Sequence, residues 1–172
     1  MLSKKMSKAL NDQITKEFAS SYLYLQMAAW FEHSGLPGFA SWMKVQAQEE
    51  AAHTLILFNY VCSRGSFVEL GKVDAPQQDF KSPLDVFQKT KAHEEKVTAW
   101  IHDLMETALS EKDFATKARL DWFVSEQVEE ESQVTDLVNR LKLIDKDSAA
   151  LFWLDKELST RVFAIPAPLA PK

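Results

Sequence analysis

The chain has 172 residues, 46% of them hydrophobic and 26% charged, with a formal net charge of −5. That size and apolar content fit one domain with a real core, and an acidic chain without a basic run fits neither nucleic acid nor an anionic membrane surface. A single cysteine, Cys62, excludes a disulfide framework, a Cys-rich zinc module and a thiolate-held iron–sulfur cluster.

No apolar run reaches about 18 residues, so no spanning helix is expected. The start, Met1–Met6, is basic, but no apolar stretch follows it. No signal peptide is read there, and a cytoplasmic location is the expectation.

Glycine is confined to Gly35, Gly38, Gly65 and Gly71, and proline to Pro37, Pro76, Pro83 and the tail (Pro166, Pro168, Pro171). The long stretches between lack breakers, which predicts an all-α protein of long helices. The first helix is expected over about 5–33, ended by the Gly35–Pro37–Gly38 turn. The second is expected over 38–64, with Gly65 as the residue beyond its C-cap. Ser82 and Pro83 read as N-cap and first position of a third helix over 83–110, with Asp85 in its first turn. Asp113 caps a fourth over 113–143, and Asp145 or Asp147 a short fifth over 147–163. Pro166 stops the fifth, leaving an extended, mobile tail at 164–172.

Short turns make helices one and two, and three and four, antiparallel hairpins. Residues 65–81 form a patternless link of 17 residues, able to reach roughly 56 Å. A helix of about 27 residues is roughly 40 Å long, so the link can run back along it. The expectation is one domain over 1–172: a four-helix bundle with one long crossover and a short fifth helix.

Each long helix carries an apolar face interrupted near its middle. The faces read Leu10, Ile14, Glu17, Ser21, Tyr24, Ala28, Phe31; then Phe39, Met43, Gln46, Glu50, His53, Leu57, Tyr60. The second pair reads Phe87, Lys91, Glu94, Thr98, Ile101, Met105, Ala108, and Leu120, Phe123, Gln127, Glu130, Val134, Leu137, Leu141. Glu17 to Glu94, Glu50 to Gln127 and His53 to Glu130 are each 77 residues apart. The two hairpins therefore repeat one polar pattern.

A lone Glu-x-x-His is weak, since composition gives roughly 0.3 such matches by chance. A lone Glu on a helix is usually a solvated face. Four carboxylates on core faces are another matter. Unpaired, each would cost several kcal/mol, and Lys91 is the one cation on the stripes. Glu17, Glu50, Glu94 and Glu130 sum to −4, which two divalent ions balance. Carboxylates with one imidazole suit iron or manganese, and glutamates from two helices with i,i+3 pairs from two others are a known di-metal arrangement in bundles. One ion would take Glu17, Glu50 and His53. The other, without imidazole and so weaker, would take Glu50, Glu94 and Glu130, with Gln127 beside it. A di-iron or di-manganese oxygenase or peroxidase, and a metal-free scaffold, are the rival readings.

Together, Glu17, Tyr24, Glu49-Glu50-Ala51-Ala52-His53, Glu94, Glu126-Gln127 and Glu129-Glu130 resemble the non-haem bacterial ferritins over nearly the whole chain. The resemblance implies a ferroxidase centre at Glu17, Glu50, His53, Glu94, Gln127 and Glu130. There Fe(II) is oxidised to Fe(III) by dioxygen or hydrogen peroxide and stored as mineral in a 24-subunit shell. It also implies a third, cavity-side iron site at Glu49, Glu126, Glu129 and Glu130, and a redox or hydrogen-bonding role for Tyr24, for which packing is the alternative. Trp122 reads likewise as packing or an electron donor. The fifth helix, with Leu151, Leu154, Leu158 and Val162 on one stripe and Phe152 and Trp153 beside it, would line a four-fold axis or dock on its own subunit. His33, His93 and His102 are read as surface residues. Ala51 stands where a bacterioferritin has its haem methionine, so no haem is expected, and one cysteine cannot build a rubrerythrin's iron domain. The mixed charges of Glu111-Lys112-Asp113, Lys117 and Arg119 depart from the acidic channel of animal ferritins.

Overall fold

The computed structural model describes residues 1–170. Pro171, counted above among the tail prolines, lies outside them. Five α-helices follow in order: α1 (Lys4–His33), α2 (Pro37–Ser63), α3 (Pro83–Ser110), α4 (Phe114–Ile144) and α5 (Ser148–Leu158), then a 3-10 turn, Ala167–Leu169. There is no strand among the described residues. The chain forms two compact units: Met1–Asp79 with the segment from Ser148 onward, and Phe80–Asp147.

The first unit is the α1–α2 hairpin with α5 packed on α2. Ser3 caps α1 by accepting from the Met6 N–H at 3.0 Å. Its turn to α2 places Gly35 at φ +74°, a left-handed conformation that a side chain resists. Gly65 does the same after α2, at φ +69°, as its place in the sequence predicts. Every stripe residue of α1 and α2 is buried, and Phe31 stacks on Phe39 with centroids 5.1 Å apart. The link turns back along α1: the Asn11 side-chain amide donates to the Phe67 carbonyl at 3.2 Å, and the Gly71 N–H donates to Thr15 Oγ1 at 2.9 Å. It advances from residue 67 to 71 as α1 advances from 11 to 15, as a returning crossover requires.

The start of α2 is capped from a distance. Leu36, its N-cap, offers no side-chain hydrogen bond. Asp155 of α5 accepts instead from the N–H groups of Gly38 (2.8 Å) and Phe39 (3.0 Å). A carboxylate at a helix N-terminus satisfies orphan donors and meets the positive end of the dipole. The approach needs glycine, because a Cβ at position 38 would lie 1.7 Å from the Asp155 carbonyl oxygen.

The second unit is the α3–α4 hairpin. Ser82 caps α3 by accepting from the Asp85 N–H at 3.1 Å, and Asp113 caps α4 by accepting from the Thr116 N–H at 3.1 Å. The stripe of α4 is wholly buried. On α3 the buried face is turned slightly: Val97 and Leu104 are buried, while Lys91, Thr98 and Met105 of the predicted stripe are half-buried. Lys91 pairs with Glu95.

Four expectations are corrected. The fifth helix ends at Leu158, short of the predicted 163. There the backbone tightens into shorter turns, the Thr160 N–H donating to the Glu157 carbonyl at 3.0 Å and the Arg161 N–H to the Leu158 carbonyl at 3.3 Å, while the Ser159 and Thr160 hydroxyls donate to the Lys156 and Glu157 carbonyls at 2.7 Å each. Val162 thus leaves the stripe and is exposed, and α5 buries Leu154, Asp155 and Leu158 while Phe152 and Trp153 stay exposed. Asp145 closes α4 at φ 46° rather than opening α5, which Asp147 directly precedes. The tail is extended only in part, since Ala167–Leu169 is a 3-10 turn in contact with α2. His93 is half-buried, its ring edge-on to Trp100 with centroids 6.2 Å apart.

Replacing Asp155 with Ala removes the cap of α2, and a loss of about 1–2 kcal/mol in unfolding free energy is expected. Denaturant unfolding checks this, with Asp155→Asn losing less.

Candidate metal centre

In the first unit α1 and α2 bring three chemically capable side chains together. Glu17, Glu50 and His53 are each 2% exposed or less. They share one locality because both helices present these positions inward: the i,i+3 pair on α2 stands on one face, across from Glu17 on α1. His53 Nδ1 lies 3.4 Å from Glu50 Oε2 and 4.0 Å from Glu17 Oε2. One ligand atom from each of the three falls within 4.8 Å of the others, as one metal ion needs.

Amides hold the carboxylates. Gln13 Nε2 donates to Glu17 Oε1 at 2.8 Å, and Gln46 Nε2 to Glu50 Oε1 at 3.5 Å. Ser21 Oγ ties α1 to α2 nearby, donating to the Ala47 carbonyl at 2.7 Å. The other oxygen of Glu17, Oε2, is buried with no hydrogen-bond partner. A buried acceptor left this way costs about 1–3 kcal/mol, which a coordinated cation would recover. Burial first, and the Glu50 charge second, push the Glu17 carboxyl up to about 8 from its ordinary 4.5, with His53 and Gln13 pulling the other way. The metal-free site thus keeps a proton at neutral pH where a divalent ion would replace it.

The second unit carries its own set. Glu94, Gln127 and Glu130 are 0%, 5% and 3% exposed. Gln127 Nε2 reaches the Glu94 carbonyl at 3.4 Å, Glu94 Oε2 at 3.5 Å and Thr98 Oγ1 at 3.4 Å. Thr98 in turn donates to Glu131.

Of the remaining predicted residues, Tyr24 is fully buried and Trp122 half-buried, the latter edge-on to Phe123 with centroids 4.9 Å apart. Glu126 is half-buried and Glu129 exposed. Glu49 is paired with Arg161, a contact the sequence reading did not foresee across 112 positions. Gln13 was also missed. Its signal was present: it precedes Glu17 by four residues, as Gln46 precedes Glu50.

These observations define a class: an all-α protein of helical hairpins with buried carboxylates, one group of which, with an imidazole, could hold a metal ion. The comparisons with known proteins go further. A family model described as a ferritin-like domain matches residues 7–144. A bacterial non-heme ferritin of Staphylococcus aureus is 41% identical over 163 residues, covering 95% of this chain and 98% of the relative. A probable bacterial non-heme ferritin-like protein of Haemophilus influenzae is 39% identical over 158 residues, covering 92% and 96%. Among solved structures, a closed form of the Archaeoglobus fulgidus ferritin engineered by site-directed mutagenesis is similar with a TM-score of 0.94 and 50% identity, over 95% of this chain and 100% of that one. The open pore ferritin of the same archaeon is similar at 0.93 and 49%, over 94% and 100%. The chain belongs to the ferritin family, and its fold is the all-α four-helix bundle with a short fifth helix.

The raised Glu17 carboxyl sets a pH dependence. Between about 4.5 and about 8 the folded, metal-free protein holds a proton on Glu17 that the unfolded chain has released. Glu17 therefore lowers stability progressively as pH rises through that window. Glu17→Gln is expected to flatten this fall, and to weaken divalent-ion binding at least tenfold. Thermal unfolding of chelator-treated protein from pH 5 to pH 8, beside metal titration, checks both.

Proposed function

We propose that the protein stores iron and oxidises it on the way in. The observation that carries this reading is the buried Glu17–Glu50–His53 group, a carboxylate and imidazole set matched to Fe(II). Membership of the ferritin family supports iron storage as the role. In this reading Glu94, Gln127 and Glu130 complete a two-iron ferroxidase centre. Glu49, Glu126, Glu129 and Glu130 form a third site towards the stored mineral, and no haem takes part. We read residues 1–172 as one ferritin-like domain working in the cytoplasm.

Iron is the substrate. Two Fe(II) ions each give up one electron, and the pair reduces one dioxygen, with two protons, to hydrogen peroxide; peroxide can serve as oxidant in a further round. The chain supplies placement and charge. Four carboxylates balance two divalent ions, so oxidation leaves two uncompensated positive charges, which an oxide derived from one water molecule would neutralise; the two protons that water releases are those taken up in forming the peroxide. In this reading the product moves on to the acidic third site, and Tyr24 hydrogen-bonds or gives an electron near the first.

Oligomerisation into a closed shell of 24 chains belongs to the same reading. One face of the first unit is apolar: Phe18 and Leu55 are 54% and 52% exposed, and Leu70 is 70%. With Ile14, Phe58 and Val73 they line one groove. Such a face calls for burial against another copy. A net charge of −5 per chain, multiplied in a shell, would concentrate cations.

Adding Fe(II) aerobically to iron-free protein is expected to consume oxygen and leave soluble ferric product inside the particle. Glu17→Ala combined with Glu94→Ala is expected to slow the oxidation at least tenfold; wild-type rates in that variant would remove the site assignment. Light scattering on native protein checks the shell, for which a mass of 24 chains is expected.

A further inference from the structure

Arg161, three residues beyond α5, reaches back to α2 beside the metal centre. Its guanidinium pairs with Glu49, donates to Gln46 Oε1 at 2.8 Å and lies 4.3 Å over the Trp42 ring. The pair is largely enclosed, with side chains 17% and 18% exposed. Gln46 is fully buried, and its amide nitrogen faces Glu50. One cationic side chain therefore holds both the residue beside a metal ligand and the amide that touches that ligand.

We propose that Arg161 is a built-in competitor for cations at Glu49 and a positioning residue for Glu50. The inference rests on the proposed third iron site that includes Glu49, and on the reading of Glu17, Glu50 and His53 as a cation site. A guanidinium on Glu49 supplies the positive charge that a metal ion would otherwise bring. A cation arriving there must displace it, and with it one of the contacts that hold the segment after α5 on α2. Displacement needs no change at Glu17 or His53, so the inner cation is felt by the C-terminal segment while the first site stays filled. By fixing the Gln46 carbonyl, Arg161 also keeps the Gln46 N–H group turned to Glu50 rather than flipped away.

The test is a Co(II) titration of chelator-treated protein by calorimetry and visible absorption, comparing wild type with Arg161→Gln and Arg161→Lys. Arg161→Gln is expected to gain one further cation per chain, or at least tenfold tighter binding in the weakest class. Arg161→Lys, which keeps the charge but not the guanidinium's contacts with Gln46 and Trp42, is expected to fall between wild type and Arg161→Gln, and adding Glu49→Gln to Arg161→Gln is expected to abolish the gain. Equal stoichiometry and affinities in wild type and Arg161→Gln, with the tight class intact, overturn the proposal. Absence of the tight class in wild type overturns the metal-centre reading itself, a separate result. Wild-type protein gives a second readout that needs no Arg161 variant. Filling the weak class is expected to shift tryptophan emission in wild type and not in Trp42→Phe, because the guanidinium leaves the Trp42 ring. The same emission change in both proteins overturns displacement.

Discussion

Everything in this molecule turns on the cost of keeping ionisable groups out of water. Glu17, Glu50 and His53 sit where a core would ordinarily place leucine, and the turns above and below them on the same faces are largely apolar. The metal-free protein meets that cost in part with a retained proton on Glu17 and with buried amides. The remaining lone pair on Glu17 has no protein partner. Stability given up in the middle of the hairpin is what makes a strong cation site there, because a pocket satisfied by its own hydrogen bonds would have little to gain from an ion.

The long helices tolerate this because their ends are well made and their other turns are apolar. Ser3, Ser82 and Asp113 cap from within their own segments, so three of the four long helices start independently of tertiary context. Above and below the polar level, α1 and α2 bury Leu10, Ile14, Phe31, Phe39 and Leu57. The hydrophobic effect thus operates on both sides of the site and holds the charged level in register. The second unit repeats the plan with a different electrostatic solution. Gln127 stands where the repeat places Glu50 and carries no charge, so Glu94 meets an amide where Glu17 meets a carboxylate.

How far the sequence could be read depended on whether a feature was periodic. The stripes of α1, α2 and α4 were legible to the residue because apolar positions recur at helical spacing, and the 77-residue offset exposed the buried acids. Four helix boundaries were legible from Gly35, Gly65, Ser82 and Asp113, whose roles are local. The end of α5 was not, because Val162 extends the apolar period past the point where the backbone tightens into shorter turns. Contacts between residues far apart in sequence left no trace: Asp155 on Gly38, and Arg161 on Glu49. Gln13 lies between these cases, since its spacing to Glu17 was visible while its burial was not.

The distant cap on α2 also carries a consequence for how the chain is made. Translation delivers α2 long before Asp155 leaves the ribosome, so during synthesis the first turn of that helix has donors with no acceptor and a glycine at its second position. The hairpin must therefore persist with a frayed corner until α5 arrives to close it. A ribosome that stalls between α2 and Asp155 would release a chain with that corner still open.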